Sequence, residues 1–128
     1  MRPTFDQSLR RGIELFNRRE FYEAHEAWEE GWIDELTDDR LLLQGLIQVA
    51  AGLYKVQCAS PAGAAKLLGA GLAKLRPFVG RSRGVQLEPL LAEVEHWRQT
   101  AQEQAAEKRA DFDPSQFPKI QYAPQEAR

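Results

Sequence analysis

The chain has 128 residues, one domain's worth, and a chain of that size buries roughly two-thirds of its unfolded surface, enough for a core without metal or disulfide staples. With 43% hydrophobic and 28% charged residues it is not a disordered chain. Seventeen Lys+Arg against nineteen Asp+Glu leave a formal charge of −2, so no nucleic-acid partner and no anionic membrane is expected.

The composition favours helices: Ala and Leu far outnumber the β-branched residues, and no segment alternates as a half-buried strand does. The first predicted helix runs from about Thr4 to Arg18, opened by a Thr4-Phe-Asp-Gln7 capping box, with Phe5, Leu9, Ile13 and Phe16 at helical spacing. A second follows from about Glu20 to Leu36, and a third from about Asp38 to Cys58 with Thr37 or Asp38 as N-cap. Ser60-Pro61 opens a fourth, which reaches Arg76 before Pro77 stops it. After a loop with Gly80, Gly84 and several arginines, Pro89 opens a fifth that reaches about Ala110. The tail from Asp111 mixes three prolines with Phe112, Phe117, Ile120 and Tyr122, a composition suited to an extended strap laid over the bundle. The expected architecture is all-α: one domain over 1–128, a compact antiparallel bundle of about five helices over 4–110, and the tail over 111–128.

The longest apolar run, Leu41 to Tyr54, is too short to span a bilayer and holds Gln44 and Gln48, so it reads as a central core helix. The chain start has no apolar stretch of the secretory type, and with a lone cysteine the expected compartment is the cytoplasm. The soft ligands are His25, His96 and Cys58, which exclude an internal disulfide and a Cys/His-rich zinc site built from one copy.

One pair of helices carries an unusual site. At about 100° per residue, Phe21, Tyr22, His25, Trp28, Trp32 and Leu36 form the apolar face of the second helix, and Glu29 falls within it. Glu23, Glu30 and Asp34 fall on the far side and are expected to be solvated. His25 and Glu29, four apart, are side-chain neighbours, and a buried carboxylate needs such a partner. In the third helix Gln44 and Gln48 are again four apart, opposite a stripe of Leu42, Leu46, Val49 and Leu53. If the two polar pairs meet, the glutamine amides donate to Glu29 and accept from His25.

The run Glu23-Ala-His25-Glu-Ala-Trp28-Glu29-Glu-Gly-Trp32 contains H-x-x-x-E-x-x-W. It resembles the bacterial and archaeal family known as domain of unknown function 309, whose motif is H-x-x-x-E-x-x-(W/Y). Phe16-Asn-Arg-Arg-Glu-Phe-Tyr22, Gln44-Gly-Leu-Ile-Gln48-Val-Ala-Ala-Gly-Leu-Tyr54 and, more loosely, Gly63-Ala64-Ala-Lys-Leu-Leu68 are similar to it too, so the likeness covers roughly residues 10 to 76. The resemblance implies an all-helical fold and a motif suspected of binding metal, carried by His25, Glu29 and Trp32; it implies no activity.

Several readings of the site stand side by side. His25, Glu29, Gln44 and Gln48 would form a satisfied network that fixes helix register. Or His25 and Glu29 would ligate a divalent metal such as zinc, iron or manganese, with water, a glutamine carbonyl or a second copy of the chain completing the sphere. Or Trp28 and Trp32 would wall a small-ligand pocket or acid–base site, in which His25 and Glu29 share proton transfer as catalytic candidates. From a different class comes a protein-interaction module: Gly12, Leu15, Ala24, Trp28 and Gly31 fall at spacings like those of one tetratricopeptide hairpin, although such arrays need about three repeats. A scaffold with no chemistry is the plainest option.

Other features weigh less. Glu26 lies off the apolar face, so His25-Glu-Ala-Trp-Glu29 does not make a protease-type metal motif. Glu93-x-x-His96 has di-iron spacing but lacks its second copy, and reads as a solvated face. Arg76, Arg81 and Arg83 in a Gly-containing loop would suit a phosphate. Cys58 reads as a small buried hydrophobe.

Overall fold

A computed structural model describes residues 2–124. It contains α1 (Phe5–Asn17), α2 (Phe21–Asp34), α3 (Asp39–Gln57), α4 (Pro61–Leu75) and α5 (Leu87–Ala106), with short 3₁₀ turns at Arg76–Phe78 and Pro114–Gln116. Among the described residues there is no strand, only an isolated bridge between Val85 and Tyr122. No helix among them is long and apolar enough to cross a membrane. The fold is the all-α bundle that the apolar spacing predicts.

Helix starts follow local chemistry. At α1 the Thr4 hydroxyl accepts from the Gln7 N–H and the Gln7 side chain accepts from the Thr4 N–H, completing the capping box. At α3 the hydroxyl of Thr37 accepts from the Asp39 N–H, while Asp38 is already helical and caps nothing with its side chain. Ser60 makes no side-chain cap; the proline at position 61 alone shapes that start. The fifth helix begins at Leu87, two residues before Pro89, because a proline is tolerated anywhere in the first turn, where no intrahelical donor is needed.

Helix ends are less legible. The chain turns off α1, α3 and α5 through Arg19, Ala59 and Lys108, all non-glycine residues with φ of 65°, 58° and 56°. Each turn is closed by a backbone bond reaching back five residues, Glu20 to Leu15, Ser60 to Lys55 and Arg109 to Gln104. That signal places the end of α5 at Ala106, earlier than the apolar pattern suggests. At α2 the backbone becomes extended at Glu35, so Leu36 lies outside the helix and is 94% exposed instead of joining the apolar face.

Each helix packs on the next in sequence, α1 on α2, α2 on α3, α3 on α4 and α4 on α5. Two crossings are very close. A Cβ on Gly12 would lie 2.0 Å from the Trp28 indole nitrogen, and one on Gly71 would lie 2.9 Å from the Gly45 carbonyl oxygen. Fully buried Leu9, Phe16, Trp28, Leu46, Leu53 and Leu68 form the spine of a continuous core.

Beyond α5 the chain makes contacts with α1, α2 and α5. Asn17, at the end of α1, donates to the Ile120 carbonyl at 2.9 Å and accepts from the Ile120 N–H at 2.7 Å. Phe117 is buried, with ring centroids 4.6 Å from Trp97 and 5.1 Å from Phe21. The Ala123 N–H donates to the carbonyl of Gly84, whose φ of +95° and contact with Ala123 admit no side chain. Residues 125–128 of the expected tail lie outside the described residues.

Candidate functional site

The second and third helices run antiparallel, and two aromatic contacts fix their register. Near the start of α2 the Tyr22 and Tyr54 rings lie 5.5 Å apart; near its end the Arg40 guanidinium stacks 4.2 Å over the Trp32 ring. Between these markers lie His25 and Glu29 on α2 and Gln44 and Gln48 on α3.

The His25 Nε2 lies 2.5 Å from the Glu29 carboxylate, as the spacing of four predicts. Nδ1 of the same ring lies 3.2 Å from the Tyr22 carbonyl oxygen. Both partners are acceptors, so each contact is a hydrogen bond only where the ring nitrogen facing it carries the proton. The ring also packs 5.5 Å from that of Tyr22.

Three expectations need correction. Glu29 does not face inward: its side chain is 48% exposed against 24% for His25. The helix turns its Phe21–Ala24–Trp28 side into the core, which leaves Glu29 at the rim, and Tyr22 exposed with it. Secondly, the four polar groups do not close into a network. Among the described residues no hydrogen bond joins Gln44 or Gln48 to His25 or Glu29, and the buried Gln48 Oε1 has no protein partner. Thirdly, Trp28 is not a wall of this seam. It is fully buried, with its indole N–H donating to the Leu9 carbonyl at 3.1 Å. Trp32, half-buried, is the tryptophan that borders the seam.

Two further buried polar atoms lack a partner: the indole nitrogen of Trp32 and Nε of Arg40. With Gln48 Oε1 this makes three on the α2–α3 seam, two donors and one acceptor. A buried polar atom left unpaired typically costs about 1–3 kcal/mol. Arg40 was not among the predicted site residues. Its signal was present, because Arg40, Gln44 and Gln48 form one polar line at intervals of four along α3.

The hydroxyl of Tyr54 is held above its ordinary range, first by hydrogen bonding with the Cys58 thiol one turn on and then by the charge that thiol would carry. Cys58 itself is exposed, not buried, because α3 ends one residue before it.

As a donor set, the imidazole nitrogen and carboxylate of His25 and Glu29 suit one edge of a divalent cation. Among the described residues no three His, Cys, Asp or Glu side chains gather in one place. Water or a second copy of the chain would supply the remaining ligands.

Of the loop arginines, Arg83 is committed to carboxylates. Arg83 reaches Asp39 at 2.6 Å and Asp6 at 2.8 Å while stacking 4.4 Å over Phe5. Burial works against its charge, yet Asp39 and Asp6 hold the guanidinium above its ordinary range. Arg81 stacks 4.6 Å over Phe78. Glu26, Glu93 and His96 are exposed.

Residues 9–67 match the family model described as Domain of unknown function (DUF309). The matched span runs from α1 into α4 and contains the whole α2–α3 seam. No curated protein matches the chain.

Proposed function

We propose that this chain, a DUF309 protein over residues 9–67, binds a small polar ligand in the α2–α3 seam. The observation that carries the reading is the trio of buried, unpaired polar atoms on Trp32, Arg40 and Gln48. The N–H donors of Trp32 and Arg40 call for a ligand with an acceptor group, such as a carboxylate or amide oxygen, and Gln48, two helical turns (about 12 Å of rise) further along α3, calls for a donor at the ligand's other end. His25 and Glu29 lie in the same seam and reach solvent, so they would meet the ligand with a proton to give or take. A hydrated divalent cation on His25 and Glu29 belongs to the same reading.

A thermal-shift panel of small carboxylates, amides and divalent cations tests it on the full chain. A binder should raise Tm in the wild type and leave His25→Ala and Gln48→Leu unmoved. Gln48→Leu should itself be at least as stable as the wild type, since it removes an unpaired buried oxygen. Metal analysis of tag-free protein separates the two ligand classes: a near-stoichiometric metal lost in His25→Ala assigns a cation. A panel with no shift, or equal shifts in all three proteins, overturns the reading.

A second reading, a protein-interaction module, draws on Ile33, Leu36 and Leu41, large apolar side chains exposed around the α2–α3 turn. Leu36→Ser and Leu41→Ser would then abolish partner binding while leaving Tm in place.

A further inference from the structure

The turn from Asp34 to Asp39 holds four carboxylates and no base, and the stretch from Lys74 to Arg83 holds four bases and no carboxylate. The fold brings these two oppositely charged segments to one end of the bundle. Arg83 reaches Asp39 at 2.6 Å, and the start of α3 lies against the end of α4, where a Cβ on Gly45 would lie 3.3 Å from the Lys74 Cβ. Much of this charge is not neutralised within the chain. Asp39 pairs with Arg83 and Asp34 with Arg2. Among the described residues, Glu35, Asp38, Lys74, Arg76 and Arg81 enter no ion pair.

The same end carries exposed apolar surface. Ile33, Leu36 and Leu41 lie on or beside the acidic turn and Val79 lies within the basic stretch, all four exposed, with Leu36 almost wholly in solvent. A single exposed leucine is ordinary; four large apolar side chains at one end of a small bundle, rimmed by charge, mark a contact surface.

The charge pattern selects the partner. A basic partner would be drawn to the turn and repelled by the loop, and an acidic partner the reverse. A second copy related by a two-fold axis satisfies both, because the turn of each copy then faces the loop of the other and every contact is made twice. We propose that this end of the bundle binds a second copy of the chain. The α2–α3 turn of each copy lies against the loop between α4 and α5 of its partner, and Ile33, Leu36, Leu41 and Val79 close between them. The proposal rests on the interaction-module reading, for which it names the partner.

Sedimentation velocity of the full chain over a wide range of concentration tests it, with circular dichroism verifying the fold of each variant. The expected result is a reversible monomer–dimer equilibrium. Leu36→Ser should weaken the dimer at least about tenfold, as loss of a central apolar anchor does. Asp38→Arg and Arg81→Glu should each weaken it, since each sets like charges face to face, twice per dimer. An equimolar mixture of these two variants should recover a dimer as tight as that of the wild type, because opposite charges then meet at both contacts. Tyr22→Ser/Tyr54→Ser, which alters the exposed aromatic pair elsewhere on α2 and α3, should dimerise as the wild type does. A dimer indifferent to Leu36→Ser, equal weakening in the Tyr22/Tyr54 variant, or a mixture no tighter than its components would each overturn the proposal. A chain that stays monomeric yet binds a different protein through Leu36 overturns it and keeps the interaction-module reading; one that stays monomeric and binds nothing through Leu36 overturns both.

Discussion

The Trp28 indole fills the space that a side chain on Gly12 would need, and its nitrogen is tied to the Leu9 carbonyl one turn earlier on the same helix as Gly12. The α1–α2 crossing therefore depends on one residue having no Cβ and the other having a large ring with a donor. Trp28→Ala should lose about 3–5 kcal/mol, the cost of an aromatic cavity in a core. Gly12→Ala should lose about 1–3 kcal/mol by overpacking. Trp32→Ala, at the edge of the seam, should lose less than Trp28→Ala. Urea denaturation of the three variants checks the ranking; equal losses at both tryptophans would contradict it.

Asn17 acts as a two-sided clasp on Ile120. Asn17→Ala leaves a part-buried N–H and carbonyl of Ile120 unpaired and should cost about 1–3 kcal/mol. The damage should be local. Trypsin should cut after the exposed Lys119 several times faster than in the wild type, while the helical circular dichroism signal at 25 °C is retained.

Ala59 holds a left-handed conformation at the end of α3 without being glycine. Its Cβ is strained there, and Ala59→Gly relieves the strain at the expense of a freer unfolded chain. The expected balance is a gain of about 0.5–1 kcal/mol, seen as a Tm increase of a few degrees. A fall in Tm would show that the turn makes use of that methyl group.

Glu95 and Arg98 form a two-pronged contact on α5, at 2.5 and 2.6 Å. Hydrogen bonding to Arg98 holds the Glu95 carboxyl below the usual carboxylate range. A carboxyl lowered in the folded state stabilises the fold above its unfolded value, about 4.3, and that contribution is lost as pH falls through the folded value. Glu95→Gln should therefore show a small Tm deficit at pH 7 that closes in acid. A deficit that persists below both titrations would assign the effect to packing instead.

The sequence carried the number and order of the helices, because apolar spacing and capping residues are local signals. It carried the ends of α1 and α3 to within a residue, but not the end of α5, where Lys108 does the turning and no glycine announces it, nor that of α2, which stops before Leu36. At the site it carried the His25–Glu29 contact, which one helix sets by itself. Whether Glu29 looks inward and whether the glutamines close on it depend on how α2 rolls against α1 and α3. That roll is governed by the Gly12–Trp28 crossing, a contact between residues sixteen apart that a single-helix wheel does not contain.

Contacts between successive helices are short-range in sequence, so each hairpin of the bundle can close quickly and without waiting for the rest. The clasp from Asn17 to Ile120 is different: it joins residues 103 apart. Closing so long a loop is expected to come late, so losing the clasp should speed unfolding more than it slows folding. The tail's role in the bundle is thus one of lifetime more than of assembly, setting how long the finished fold stays shut.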